Sequence, residues 1–341
     1  MYRIVRLLAL YVSLIAGQPH AGQGLRSECL NLLKEAKKVG LPLNQADLDS
    51  PKATQESRKI EQILAKADKV MRRNQESISS MMEKDLKNLQ RKKEGKPAIP
   101  YRQETPKEKA DRERDVLKVL DELRSTHGPR VVPKMDPGAL SFGERGSARG
   151  FVKLAVGSAE ALAKAGKFKE SIARYRLARR LVDLSLIGDS MVSVMSQNAA
   201  IQAYYASLGR TAGGLPGLRK LVTPELVARF VQPSIARILQ AEFLESYALM
   251  TKKDFALPKE EKALTPLIRS IRSWTVAYPV LKKARNGAEL AKAYSSIASK
   301  METYDLGDDD KVTFGPSWAD RADVLDKTEV WRADMLIKLG M

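Results

Sequence analysis

Apolar positions recur every three or four residues along most of this chain. Between Gln55 and Gln90 they fall at Ile60, Ile63, Leu64, Ala67, Val70, Met71, Ile78, Met81, Met82, Leu86 and Leu89. That period predicts a helix with one apolar stripe, interrupted near Asn74. A shorter helix is predicted over Ser27 to Val39, stopped by Gly40 and Pro42. A basic, proline-rich break, Arg91 to Pro106, precedes a helix over about Pro106 to Ser125, and His127 to Arg149 is rich in Gly and Pro and reads as a linker. Helical periodicity resumes at Gly150. Gly166 divides two helices, and Gly209 to Gly217 (GRTAGGLPG) is expected as a loop. Thr223-Pro224-Glu225 is a cap followed by proline at the first helical position, and Thr265-Pro266 repeats that signature. Pro233-Ser234 opens a helix to about Met250, and Asn286-Gly287 precedes another over Ala288 to Glu302. No stretch alternates with period two, so few or no strands are expected.

The N-terminus breaks this pattern. Arg3 and Arg6 precede an unbroken apolar run, Leu7 to Gly17, and a polar stretch of small residues follows to Gly24. Eleven helical residues span roughly 16 Å, against about 30 Å of bilayer hydrocarbon. A cleaved export signal over residues 1–21 fits better than a membrane span, and no later segment is apolar enough to cross one. The expected organisation is therefore all-α. A signal (1–21) is followed by a charged, basic helical region (22–125), a linker (126–149), a helical-hairpin domain (150–300) and an acidic C-terminal segment (301–341).

Residues Gly166 to Ala178 (GKFKESIARYRLA) resemble the second half of a tetratricopeptide repeat. Gly166, Phe168, Glu170, Ser171, Ile172, Tyr175 and Ala178 occupy the places where that pattern has glycine, aromatic, Glu, small, aliphatic, aromatic and Ala. Gly166 would permit the inter-helix turn, and Ser171 and Ala178 would let the paired helix approach. Phe168, Ile172 and Tyr175 would fill the seam, while Ala159 matches the small residue of the first helix. The resemblance spans about 150–183 and implies a helical-hairpin array. Ala155, Ser158, Leu162 and Asp183 depart from the pattern, and one period later Ala200 stands in place of glycine. The lysine and asparagine pattern that binds peptide carboxylates in some family members is absent, with Val156 and Glu160 near those places. The run Leu177 to Ala200 is also similar to exported bacterial proteins of planctomycete type, which implies export and a helical fold but no activity.

Charge changes the picture of partners. The chain has 59 basic and 41 acidic residues, a net charge of +18. Residues 151–300 hold 24 basic against 11 acidic side chains, and residues 301–341 hold 5 against 10. Such a balance favours anionic partners. The acidic tail also carries Phe314, Trp318, Leu325, Val330, Trp331, Leu336 and Ile337. It is expected to dock on the basic array with Trp318 and Trp331 as buried anchors.

Little in the chain promises chemistry. One cysteine, Cys29, makes no internal disulfide and lacks a lipoprotein-type context. His127 is the only histidine beyond the signal, so a zinc set cannot be assembled from His and Cys. Asp305, Asp308, Asp309 and Asp310 do not have calcium-loop spacing and are expected as a solvated loop. Glu242 and Glu245 share a helix face, but partner Glu-x-x-His pairs are missing, and Glu242 is expected in solvent or beside an arginine such as Arg237. Gly213-Gly214-Leu-Pro-Gly217 lacks the Lys-Ser/Thr of a phosphate loop. Arg91-Lys92-Lys93 and Arg179-Arg180 are expected on solvated faces, and Tyr204-Tyr205 in a core. The sequence thus predicts a non-catalytic, exported binding or scaffolding protein with a protein partner and no cofactor. The alternatives are an envelope protein that binds anionic polymers (nucleic acid or acidic polysaccharide) and an enzyme of unassigned class.

Overall fold

A computed structural model describes residues 22–48, 54–73, 78–100, 104–128, 130, 142–186, 189–251, 255–301, 303–305, 311–313 and 315–341. The expected signal, residues 131–141 of the expected linker and the Asp308–Asp310 loop lie outside the described residues. The chain divides into two compact units, Thr54–Arg130 and the remainder on either side of it. The charged helical region expected over 22–125 contributes to both units. Residues up to Ala53 belong to the larger unit, because their helix buries its apolar face there.

The smaller unit comprises α1′s successors in sequence, and helices are numbered in chain order from α1 (Gly22–Val39). They are α2 (Gln55–Met71), α3 (Ile78–Lys93) and α4 (Pro106–Leu120), closed by a 3-10 turn over Asp121–Ser125. Both α2 and α4 start on reciprocal caps. Thr54 and Ser57 exchange hydrogen bonds at 2.9 and 3.1 Å, and Thr105 and Glu108 do so at 2.9 and 3.2 Å. Ile60, Ile63, Leu64 and Ala67 of α2 are buried, as are Val116, Leu117, Leu120 and Leu123 on and just after α4, which packs against it. Arg112 is buried too. Its guanidinium takes both Glu104 oxygens at 2.7 Å and the Met71 carbonyl at 2.9 Å, which satisfies the end of α2. The same guanidinium holds the Glu104 carboxyl below the usual carboxylate range. The single stripe expected over 55–90 divides in two: its α2 half is core, while Leu86 and Leu89 on α3 are exposed.

In the larger unit α1 ends in a left-handed Gly40 (φ +98°), and Leu41 N–H returns to the Ala36 carbonyl at 3.0 Å. The unit continues with α5 (Phe142–Lys164), α6 (Phe168–Asp183) and α7 (Met191–Gly214), then two single turns, α8 (Pro216–Arg219) and α9 (Pro224–Val227). Longer helices follow: α10 (Ile235–Met250), α11 (Glu261–Leu281) and α12 (Gly287–Ile297). A two-stranded antiparallel ribbon, β1 (Thr303–Asp305) with β2 (Lys311–Thr313), pairs Tyr304 with Val312. A 3-10 segment, Ser317–Asp326, leads into α13 (Lys327–Leu339). The regular structure among the described residues is thus helical except for that ribbon. One core joins Cys29, Leu33 and Ala36 of α1 to Phe243 and Tyr247 of α10 and to Trp274 and Tyr278 of α11. α5, α6 and α7 pack on one another, and α13 lies along α7.

Several boundaries differ from the sequence reading. The expected linker ends early, since α5 already starts at Phe142. Its glycines cost about 1 kcal/mol each in a helix without forbidding one. The expected loop at Gly209 begins as the last turns of α7. Gly209 and Gly213 are where α13 crosses: a Cβ on Gly213 would lie 2.6 Å from the Lys338 carbonyl oxygen, and one on Gly209 3.1 Å from Met335 Cα. These glycines are contact residues, not breakers. Thr265 is no cap. α11 starts four residues earlier, after Glu260, and carries Pro266 and Pro279 inside it. Pro266 is near enough to the start to cost a single backbone bond. The C-terminal segment packs through Ala319, Ala322, Leu325, Met335 and Leu339, while Trp318 and Trp331 are only half-buried. Trp318 packs on the edge of the core without being fully buried, and the closest approach is made at Ala322. Gly287 opens α12 directly against the Ala322 carbonyl, where a Cβ would lie 2.0 Å away. Asp326 accepts the free N–H groups of Gly287 and Ala288 at 2.7 and 2.9 Å.

Candidate binding groove

The α5–α6 hairpin sets the geometry of the site. Gly166 turns the chain at φ +75°. Ser171 Oγ donates to the Ala159 carbonyl at 2.8 Å, and Ala159, Ser171, Ile172, Tyr175 and Ala178 are all buried in the seam. Phe168 is half-buried, and its ring lies where a Cβ on Gly217 would be 2.5 Å away, so α8 sits tightly on it. Five of the seven singled-out hairpin residues are thus buried together, Phe168 is half-buried, and Gly166 stands exposed at the turn.

A polar seam runs from this hairpin into α7. The Tyr175 and Ser207 hydroxyls lie 3.0 Å apart, Ser207 Oγ donates to Glu160 Oε1 at 2.6 Å, and Arg210 donates to the same oxygen at 2.5 Å. A serine bonded to a carboxylate is the arrangement of an activated nucleophile. Ser207, however, is only 2% exposed, and Arg210 shares its carboxylate, so the seam joins helices and presents no reacting atom.

A different arrangement gathers around residues 226–232. After α9 the chain runs without regular structure to Ser234, where α10 begins, its cap accepting from Arg237 N–H at 3.3 Å. From the last two residues of α9 into this stretch, the backbone carbonyls are met by side-chain donors from α6, α7 and α13. Tyr204 OH donates to Leu226 O at 2.9 Å, Arg332 Nε to Val227 O at 2.8 Å, and Tyr205 OH to Ala228 O at 2.8 Å. Arg179 reaches two successive carbonyls, Ala228 O at 2.8 Å and Arg229 O at 3.2 Å. Gln197 Nε2 lies 3.5 Å from Val231 O, at the limit of bonding. One side chain enters among the donors. The Phe230 ring packs against Tyr204 (centroids 5.6 Å) and Tyr205 (5.3 Å), with the Arg179 guanidinium 4.3 Å above it.

The electrostatics suit this role. Burial pushes both Tyr204 and Tyr205 above the ordinary phenol range, while the Arg179 charge pulls the other way. Both phenols therefore stay protonated as donors at neutral pH. Arg179 has its charge spread over a ring face and two carbonyls, and neither interaction needs a carboxylate.

The remaining candidates are structural or exposed. Glu242 accepts the Met191 N–H at 2.6 Å and so closes the start of α7, while Arg237 binds Asp189 at 2.6 Å. Cys29 is fully buried, and burial pushes its thiol up to about 11. Among the described residues no group of three or more His, Cys, Asp or Glu side chains could hold a metal, and no helix is long and apolar enough to cross a membrane. Arg179-Arg180 and Tyr204-Tyr205 were visible in the sequence, yet the sequence reading placed Arg179 in solvent and saw the tyrosines only as core. The targets of their polar atoms are 22 to 50 residues away, and no local pattern encodes that distance. No protein-family model, no curated protein and no solved structure matches this chain.

Proposed function

We propose that the chain is an exported, non-catalytic helical binding protein, with α5, α6 and α7 forming the start of a tetratricopeptide-like array that takes a protein partner. The observation that carries this reading is the grip on residues 226–232. Four helix side chains, Arg179, Tyr204, Tyr205 and Arg332, bind the consecutive carbonyls of residues 226–229, at the end of α9 and in the irregular chain after it. Backbone carbonyls are common to every peptide, so such a surface recognises chain conformation first and sequence second. Arg3, Arg6 and the Leu7–Gly17 run support export.

The second reading is attraction of anionic polymers, favoured by the net charge of +18. Selection from a displayed random-peptide library, with heparin and duplex DNA measured in parallel, separates the two. The first reading expects saturable peptide binding that changes little between about 50 and 200 mM salt. The second expects polymer affinity to fall by orders of magnitude over that range, and finding only that behaviour would replace the first reading. Sequencing the N-terminus of protein made in a bacterial host should find a start after about residue 17, and a cytoplasmic product retaining Met1 would remove export.

A further inference from the structure

We infer that α3 is a self-association site, through which two copies of the chain pair as an antiparallel helix dimer.

The helix is held along one face. Asn88 exchanges two hydrogen bonds with Ile99, its Nδ2 donating to the Ile99 carbonyl at 3.2 Å and its Oδ1 accepting the Ile99 N–H at 2.7 Å. Arg91 Nε donates to Pro97 O at 2.7 Å. The returning chain therefore lies along the side that carries Asn88 and Arg91. Leu86 and Leu89 sit roughly 100° to 160° around the helix from those two residues. They are 68% and 60% exposed, the two most exposed leucines among the described residues. Three residues apart on a helix, they form one apolar patch. Short helices in water draw most of their stability from packing an apolar face, yet these leucines face water.

The charges beside the patch select its occupant. Asp85 and Lys92 are seven residues apart, so they lie on the same edge of the patch, one before it and one beyond it. Both are exposed. When a second α3 runs antiparallel, with Leu86 opposite Leu89 of the second copy, Asp85 of each copy comes beside Lys92 of the other. Four leucines then close into one cluster, flanked by two opposite-charge pairs related by a two-fold axis. A parallel pair has no such match, because it sets the cationic run Arg91-Lys92-Lys93 of one copy beside the same run of the other. An anionic lipid surface suits that run but meets Glu83 and Asp85, both exposed at the other end of the patch. Burial of the leucines supplies the attraction. The exposed ion pairs add little affinity but fix direction and register. Under the binding-protein reading above, such pairing presents two copies of the array to one repetitive partner.

Sedimentation equilibrium of the purified full chain over a wide concentration range tests the pairing without any ligand, so its failure leaves the binding-protein reading untouched. The unaltered chain should shift from monomer to dimer. Leu86→Glu with Leu89→Glu should weaken association roughly tenfold or more. Asp85→Lys alone and Lys92→Asp alone should each weaken it, since either sets like charges face to face, and the two together should restore it. Thermal melting should match across the variants, because all four side chains are exposed. If the doubly glutamate-substituted chain does not fold, the charge reversals carry the comparison. A monomer at every concentration overturns the pairing, as does a dimer indifferent to the leucines. Single reversals that weaken association without mutual rescue overturn the antiparallel register. A monomeric chain that binds phosphatidylglycerol vesicles through Leu86 and Leu89 would replace the second copy with a lipid surface.

Discussion

At the scale of single residues, glycines in the same fold have opposite meanings. Gly157 lies inside α5 with nothing within 4 Å of where its Cβ would be. Gly157→Ala should therefore raise stability by about 0.5–1 kcal/mol through helix propensity alone. Gly213 is also helical, but its Cβ would lie 2.6 Å from the Lys338 carbonyl oxygen. Gly213→Ala should lose about 1–3 kcal/mol despite the same propensity gain, because α7 and α13 must move apart. Urea unfolding measures both, and equal effects of the two substitutions would show that α13 does not press on α7. Cys29 supplies a chemical check on the core. Fully buried, with its thiol pushed up to about 11, it should resist Ellman's reagent at pH 8 in the native chain and react at once in guanidinium. Rapid reaction without denaturant would place α1 away from α11.

At the scale of elements, the α5–α6 hairpin and the C-terminal segment position Arg179 and Arg332. Ala178 is fully buried where α6 meets its neighbours. Ala178→Leu should cost about 1–3 kcal/mol by overpacking, and an unchanged urea midpoint would mean that the seam has room. The C-terminal segment packs by close approach and by directed bonds: Asp326 to the start of α12, the Val324 carbonyl to Asn198 at 3.3 Å, and Arg332 to Val227 O at 2.8 Å. Its acidic charge contributes little, since the exposed Arg229–Glu329 pair at 3.2 Å is worth about 0–1 kcal/mol. Leu325, Met335 and Leu339 are buried and contribute about 1.5–3 kcal/mol each. Truncation after Lys300 should lower the melting midpoint by more than about 10 °C, because each kcal/mol moves a domain of this size by roughly 2–4 °C. A truncated chain melting with the full one would show that the segment contributes nothing to the fold.

At the scale of the molecule, two units with separate cores should unfold separately. Differential scanning calorimetry should resolve two transitions, the lower one belonging to residues 54–130, whose smaller size buries a smaller fraction of its surface. Ile63→Ala should shift only that transition, by about 2–5 kcal/mol in stability, and a single transition shifted as a whole would make the two units one cooperative body. The Glu104–Arg112 pair fixes a pH dependence for the same transition. The Glu104 carboxyl is held below its ordinary range by Arg112, so its contribution is present above about pH 4.3 and is lost as pH falls below that value. Arg112→Gln should flatten this acid limb of the lower transition.

The chain's periodicity by itself determined that it is helical, and its punctuation determined many of the ends. Gly40, Gly166, Ser234 and Asn286 each stop, turn or cap a helix through contacts within a few residues, and a local pattern can encode those. It also singled out the α5–α6 seam, because small and aromatic residues at helical spacing must face a neighbour. What it missed is where distant elements meet. The glycines at 209 and 213 look like breakers until α13 lies across them, and Trp318 and Trp331 look like anchors until Ala319, Ala322 and Gly287 prove to be the points of closest approach. The contacts around residues 226–229 belong to the same class. Arg179, Tyr204 and Tyr205 are ordinary helix residues by spacing, and they bind the carbonyls of residues 226, 228 and 229 only because the fold carries those against them. Helix formation is governed by neighbours three and four residues away, whereas a binding surface is assembled from side chains whose partners are set by packing alone.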